Sequence, residues 1–182
     1  MTPGRRLKWL NCSISAFFLI PAYILASFFH PSASTWIIGL FAGLLWANWF
    51  EYAYHRWLDH TPGLRWEKLH REHHKAPLDE THVNLGSTPF DTFMMFIVNC
   101  TPVVCADIWY QKGFSAPVMV AFVIYVLVME EVHWRVHMGG YVPQWIKSYH
   151  LSHHAMGDTP TGGKTKFNIF VPIFDWVFGT MG

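Results

Sequence analysis

Charge is scarce in this chain. Asp, Glu, Lys and Arg together make up 14% of its 182 residues, against about 25% in an average soluble domain. The formal net charge is only +1, which leaves no electrostatic basis for a nucleic-acid partner. Cysteine is rarer still. Cys12, Cys100 and Cys105 stand in apolar stretches and form no CxxC motif. A disulfide framework is thereby excluded, and the three are expected to be small buried hydrophobes. The signatures GxSxG and HExxH are missing, which removes the usual serine and zinc hydrolases. No low-complexity stretch or linker interrupts the sequence, and residues 1–182 are expected to form one membrane-embedded domain.

What the chain has in excess is apolar surface, at 52% of residues. Residues 9–29 carry no charge and as a helix would be roughly 31 Å long, matching the hydrocarbon thickness of a bilayer. Arg5, Arg6 and Lys8 precede this run as they would precede a signal peptide. The run is longer than a signal core and has no small-residue cleavage site, so it reads as an anchor. Residues 35–54 form a second candidate span, with Glu51 near its end, and 93–110 and 114–129 a third and fourth. Pro102 and Asp107 weaken the third, because proline frees a carbonyl and aspartate is costly in lipid.

With the N-terminus cytoplasmic, the inner segments 1–8, 55–90 and 130–182 hold twelve Lys and Arg, and the outer connections hold one, Lys112. Such an excess is the positive-inside pattern. The expected architecture is an all-α, multi-pass integral membrane protein with four transmembrane helices in two hairpins. Each hairpin is followed by a polar segment, and both chain ends and both segments lie on the cytoplasmic side. Thr61, Pro62 and Gly63 break the first segment, and residues 158–163 read as a loop. Residues 167–178, aromatic with Asp175 embedded, suit a membrane interface.

The polar segments are where the chemistry gathers. Ten of the twelve histidines fall into four clusters. His55 and His60 are followed by His70, His73 and His74 in an HxxHH pattern, and His133 and His137 by His150, His153 and His154 in the same pattern. Helical steps of about 100° put the members of HxxHH on one side of a helix, aimed at a common cavity. His133 and His137 are i, i+4 neighbours. His55 and His60 are five apart, about 140° around a regular helix. Either the helix ends between them or they serve different metals. His30 and His82 read as polar contacts at helix ends, with His82 close enough to the first HxxHH to be an eleventh ligand.

Neutral imidazole is the commonest metal ligand, and ten exceed what one ion uses. Two centres of about five nitrogens each account for the number. Structural zinc prefers four ligands, usually including cysteine. Five nitrogens with an open position suit iron, with zinc as a substitute. Asp59, Glu72, Glu130 and Glu131 are candidates to orient imidazole N–H groups. Trp46, Trp49 and Phe50 lead into the first cluster and are candidates for a lipid-binding cavity.

Taken together, these motifs resemble the membrane fatty acid hydroxylase and sterol desaturase superfamily. The resemblance covers about residues 45–180 and rests on Glu51, Tyr52, Tyr54, His55, Arg56 and His60, on Leu69 through Pro77, on His133 and His137, and on Tyr149 through His154. The tail of Phe174, Asp175, Trp176, Phe178, Gly179 and Thr180 also matches. It implies a four-helix anchor and a cytosolic cap whose ten histidines hold two iron ions, with O2 as co-substrate. The implied reaction is hydroxylation of an unactivated C–H bond in a fatty acyl or sterol-like lipid, with desaturation as the alternative. No haem-binding HPGG is present, so electrons are expected from a separate cytochrome b5-like or ferredoxin donor. Some sterol-oxidising members carry histidine where this chain has Ser87, Thr88 and Pro89. Bacterial carotenoid hydroxylases are similar in size, span number and histidine layout, and differ more in the His60–His70 spacing and the tail. From another class, a non-catalytic membrane metal-binding protein is the rival. A transporter would place its ligands near mid-membrane, whereas here they stand at span ends.

Overall fold

Proline dictates where the first helix breaks. The computed structural model of the protein describes residues 1–81, 83, 88–155 and 165–182. In it α1 (Pro3–Phe17) gives way at Phe18 to α2 (Leu19–Phe29). Pro21 stands four residues after Phe17, where its ring opposes the Phe17 carbonyl and offers no N–H. Together α1 and α2 still form one run, Pro3–Phe29, long and apolar enough to cross a membrane. The other three such runs are α3 (Ala33–Tyr54) with the turn that continues it to Asp59, α5 (Pro89–Tyr110) and α6 (Ser115–Met138). Three short helices complete the order: α4 (Arg65–Lys75), α7 (Gln144–Ala155) and α8 (Ile173–Val177). No strand occurs among the described residues. The four runs and the all-helical build are those of an integral membrane protein.

The helices outrun the apolar windows that mark them. α6 continues nine residues past the apolar window ending at 129, through His133 and His137. α5 runs unbroken through Pro102. Asp107, an expense in lipid, has a use: it is buried, and its carboxylate accepts the Ser115 backbone N–H at 2.5 Å. That N–H is one of the unpaired donors at the start of α6. The carboxylate also faces the positive end of the helix dipole.

The chain divides into two units. One comprises Leu10–Ala47 and Pro89–Val128. Within it α3 and α6 meet through small residues. A Cβ on Gly43 would fall 2.7 Å from Ala121 Cβ and 2.8 Å from the Val118 carbonyl, and one on Gly39 would fall 2.5 Å from Pro117. This GxxxG spacing lets two backbones approach where lipid supplies no hydrophobic drive. Phe18 stacks on Phe96 at 4.4 Å, and Phe96 meets Phe122 edge-on at 5.2 Å. Trp46 donates its indole N–H to Asn99 at 3.0 Å. Ile20, Ile24, Phe28, Ile37, Phe41 and Val98 are exposed apolar side chains, suited to lipid. Cys100 is buried as expected and Cys12 half-buried, but Cys105 is exposed, on the outer side of α5.

The other unit comprises Met1–Trp9, Asn48–Thr88 and Met129–Gly182. Its core is built on Tyr52, fully buried, stacked on Phe178 at 5.1 Å and edge-on to Phe167 at 5.7 Å. The start of α1 is fastened here. Lys8 is buried against Trp134 and pairs with Glu131 at 2.5 Å, and Thr2 hydrogen-bonds Glu80. All ten clustered histidines belong to this unit.

Candidate metal centres

The chain solves the five-residue spacing of His55 and His60 by leaving the α-helix. α3 passes into a π-helical turn, His55–Asp59, with His60 at its end. A π-turn joins residues five apart, so the two imidazoles lie one above the other, ring centroids 5.0 Å apart. Of the two expectations drawn from regular α-helical geometry, the first holds: the helix ends between the two histidines, at Asp59, after its π-helical turn. The second does not, since both histidines enter the same group.

The ten histidines converge in two groups. His55, His60, His70, His74 and His153 form one; His73, His133, His137, His150 and His154 form the other. Within each group five ring nitrogens lie within 4.8 Å of one another. Each HxxHH is therefore split, not aimed whole into one cavity. On α4, His70 and His74 are about 40° apart by helical steps, while His73 diverges from His74 by about 100°; α7 repeats this with His150, His154 and His153. Each middle histidine crosses to the other half's group. His30 joins neither group: it ends α2 in the left-handed conformation. His82, Ser87 and the loop 158–163 lie outside the described residues.

Within the first group the Nε2 atoms of His55 and His70 are 3.0 Å apart, of His70 and His74 2.8 Å, and of His60 and His153 3.2 Å. In the second, His150 Nε2 lies 2.9 Å from that of His137 and 3.0 Å from that of His154. Hydrogen bonds among imidazoles satisfy only part of this crowding, because a single Nε2–H is poorly shared between two partners, and His70 Nε2 and His150 Nε2 each meet two others. His55 Nδ1 donates to the Phe167 carbonyl, and His153 Nδ1 to the Thr165 carbonyl at 2.8 Å. A carbonyl only accepts, so in the neutral rings both Nε2 atoms are bare lone pairs. His73 goes further, with both ring nitrogens buried and no hydrogen-bond partner among the described residues, a cost of about 1–3 kcal/mol per unsatisfied group. Lone pairs converging from five sides fit a cation. Donors about 2.1 Å from one ion would be roughly 3 to 4 Å apart, near the 2.8 to 3.2 Å of these pairs and inside the 4.8 Å that bounds each group.

Burial also keeps these rings neutral. It pushes His60 down to about 3, with help from nearby His153, and His74 down to about 2, with help from His153 and His60. His70, His73 and His150 are held well below the usual imidazole range by burial and then by neighbouring imidazoles, and His154 likewise lies below it. Burial lowers His153 too, opposed by its bond to Thr165 and by Asp175. Unprotonated imidazole is the form that binds metal.

The groups that orient His55 and His153 are not the acids nearest in sequence. Glu72 pairs with Lys75 at 2.8 Å, and Glu131 with Lys8 and Arg135. Backbone carbonyls of residues 165 and 167 take the N–H groups, and two other carboxylates hold that segment. Glu51 accepts the Ile169 N–H at 3.0 Å and the Asn168 side chain at 2.7 Å. Asp175, fully buried, accepts the N–H groups of Phe167 and Asn168 at 2.8 and 2.7 Å. The clue lay in the sequence: a single acid inside an apolar run has to be paired when buried. Phe167 closes the first group from one side, its ring 5.5 Å from that of His60 and 5.9 Å from that of His55.

No curated protein and no solved structure matches the chain. The sequence model of one family, fatty acid hydroxylase, matches residues 40–180. That stretch runs from α3 to the C-terminal tail and includes both histidine groups. Two histidine groups able to hold metal, four runs able to cross a membrane and this match agree, and the chain belongs to the fatty acid hydroxylase family.

Proposed function

We propose that this protein is a membrane oxygenase that hydroxylates a C–H bond of a fatty acyl or sterol-like lipid, with each histidine group holding one iron ion. The observation that carries the reading is the pair of five-nitrogen groups, buried and adjacent, in a chain of this family. A donor set without cysteine or carboxylate, and with fewer ligands than six, suits iron with a position left open. Two iron ions held there would supply reductive activation of dioxygen, with electrons from a separate cytochrome b5-like or ferredoxin donor.

The chain's own part is binding, orientation and exclusion of water. Nδ1 of His55 and of His153 keep their protons on carbonyls, which turns Nε2 toward the ion. Low imidazole basicity keeps the donors free of protons at neutral pH. Phe167 and the buried rings shut out solvent, which protects reactive species from side reactions. Placement of one substrate carbon beside the centres supplies the rate and the selectivity. The distribution of Lys and Arg, twelve to one, supports a cytoplasmic position for the histidine-bearing segments and both chain ends, where a soluble or membrane-bound reductant has access.

Lipid analysis of cells with the chain, without it, and with His153→Ala tests the proposal. Hydroxylation predicts a lipid species heavier by one oxygen that only the wild-type chain produces. A loss of two hydrogens would identify a desaturase instead, and a modified carotenoid would redirect the substrate class. Unchanged lipids with iron bound would point to the non-catalytic metal-binding protein.

A further inference from the structure

Asp175 is buried in a tail of exposed aromatics, yet its carboxylate is connected to two histidines of the first group by way of the backbone. A trans peptide holds its N–H and C=O antiparallel, so whatever grips the N–H aims the carbonyl of the preceding residue. Asp175 Oδ2 grips the Asn168 N–H at 2.7 Å, and the carbonyl of that same peptide, Phe167 O, accepts from His55 Nδ1. The second connection runs through Thr180. Its hydroxyl donates to Asp175 Oδ1 at 2.7 Å and its N–H to the Asp175 carbonyl at 2.7 Å. Thr180 O in turn accepts the Lys166 N–H at 2.7 Å. The carbonyl of that peptide, Thr165 O, accepts from His153 Nδ1 at 2.8 Å.

We infer that Asp175 is a positioning residue for the first histidine group alone, fixing the tautomers of His55 and His153 through the peptides 167–168 and 165–166. The inference rests on the reading of the two groups as metal centres. In the second group the corresponding Nδ1 atoms of His150 and His154 have no hydrogen-bond partner among the described residues, and His137 faces the Pro77 backbone, which Asp175 does not hold. The two centres thus differ in how their donors are held. Asparagine at 175 would keep the shape but turn an N–H donor toward the N–H of Phe167 or of Asn168, loosening the segment that carries both carbonyls. Groups that orient metal-binding histidines typically change metal affinity roughly 10- to 100-fold.

The test uses the full-length chain in lipid nanodiscs loaded with iron(II), with iron counted per chain, release to a chelator followed in time, and 57Fe Mössbauer spectra recorded. Wild type is expected to hold two ions. Asp175→Asn is expected to hold one, with one spectral component lost or shifted and the other unchanged. Thr180→Val, which removes only the hydroxyl, is expected to keep two ions but release one of them several-fold faster. Asp107→Ala, a buried carboxylate in the other unit, should leave both ions and both release rates as they are. A wild-type chain without iron would sink the metal reading itself. If wild type holds two, then two unperturbed ions in Asp175→Asn, or loss of both together, overturns the positioning role. Failure of Asp175→Asn to accumulate leaves Thr180→Val to decide, and equal release of both ions in that variant also overturns it.

Discussion

The imidazoles of His74 and His154 lie 4.3 Å apart, ring centre to ring centre, although they belong to different groups. They form a shared wall between the two centres. His60, by contrast, has ring contacts among the described residues with His55, His70, His74 and His153 of its own group and with Phe167.

This difference predicts two classes of alanine variant. His60→Ala and His133→Ala should each lower iron from two per chain to one, whereas His74→Ala and His154→Ala should lower it further and disturb both spectral components. All four should insert in the membrane and lose turnover. Wild-type-like activity in two variants drawn from His73, His74, His153 and His154 would reject the assignment of these residues.

The pH dependence of the metal-free protein follows from the lowered imidazoles. Below the unfolded value of about 6.5 the unfolded chain takes up protons that the folded chain refuses. Stability is therefore full above pH 6.5 and falls as pH drops through a window reaching about 3 for His60 and about 2 for His74. Denaturation of metal-free protein at pH 8, 7, 6 and 5 should show a plateau followed by a decline. A flat profile down to pH 5 would show that these rings are solvated when metal is absent.

Gly43 sits where a side chain has no room, since a Cβ would fall 2.8 Å from a backbone carbonyl. Gly43→Ala should force α3 and α6 apart and cost about 1–3 kcal/mol, the usual penalty of overpacking. Reversible unfolding in mixed micelles reads this directly, and an unchanged midpoint would show that the contact is loose.

Asp107→Ala removes the acceptor for the Ser115 N–H and should destabilise the fold by roughly 0.5–2 kcal/mol, as loss of a helix cap does. Asn at the same position keeps an acceptor and should cost less. Equal losses for the two would mean that charge, not the hydrogen bond, is what matters there.

Much of the fold was legible because its signals are local. Apolar runs with at most one charge each mark the four spans, and the density of histidine marks the site. What was not legible depends on geometry that pattern-reading takes as regular. The α-helical step separates His55 from His60, and only the π-turn restores them to one side. The crossing of His73 and His153 was half visible in the 100° divergence of adjacent residues, but its destination is set by how α4, α6 and α7 meet. Glu51 and Asp175 were conspicuous as lone acids in apolar runs. Their partners are backbone N–H groups more than a hundred residues from Glu51 and seven or eight from Asp175, which no spacing rule connects.

The central claim is that the two histidine groups insert oxygen from O2 into a lipid. Iron-loaded protein, a chemical or ferredoxin reductant and a membrane lipid extract, supplied with 18O2, test it most directly. The account predicts a product lipid carrying one atom of 18O, absent from the His153→Ala variant. A product whose oxygen comes from water, or no oxidised lipid although two iron ions are bound, would contradict it.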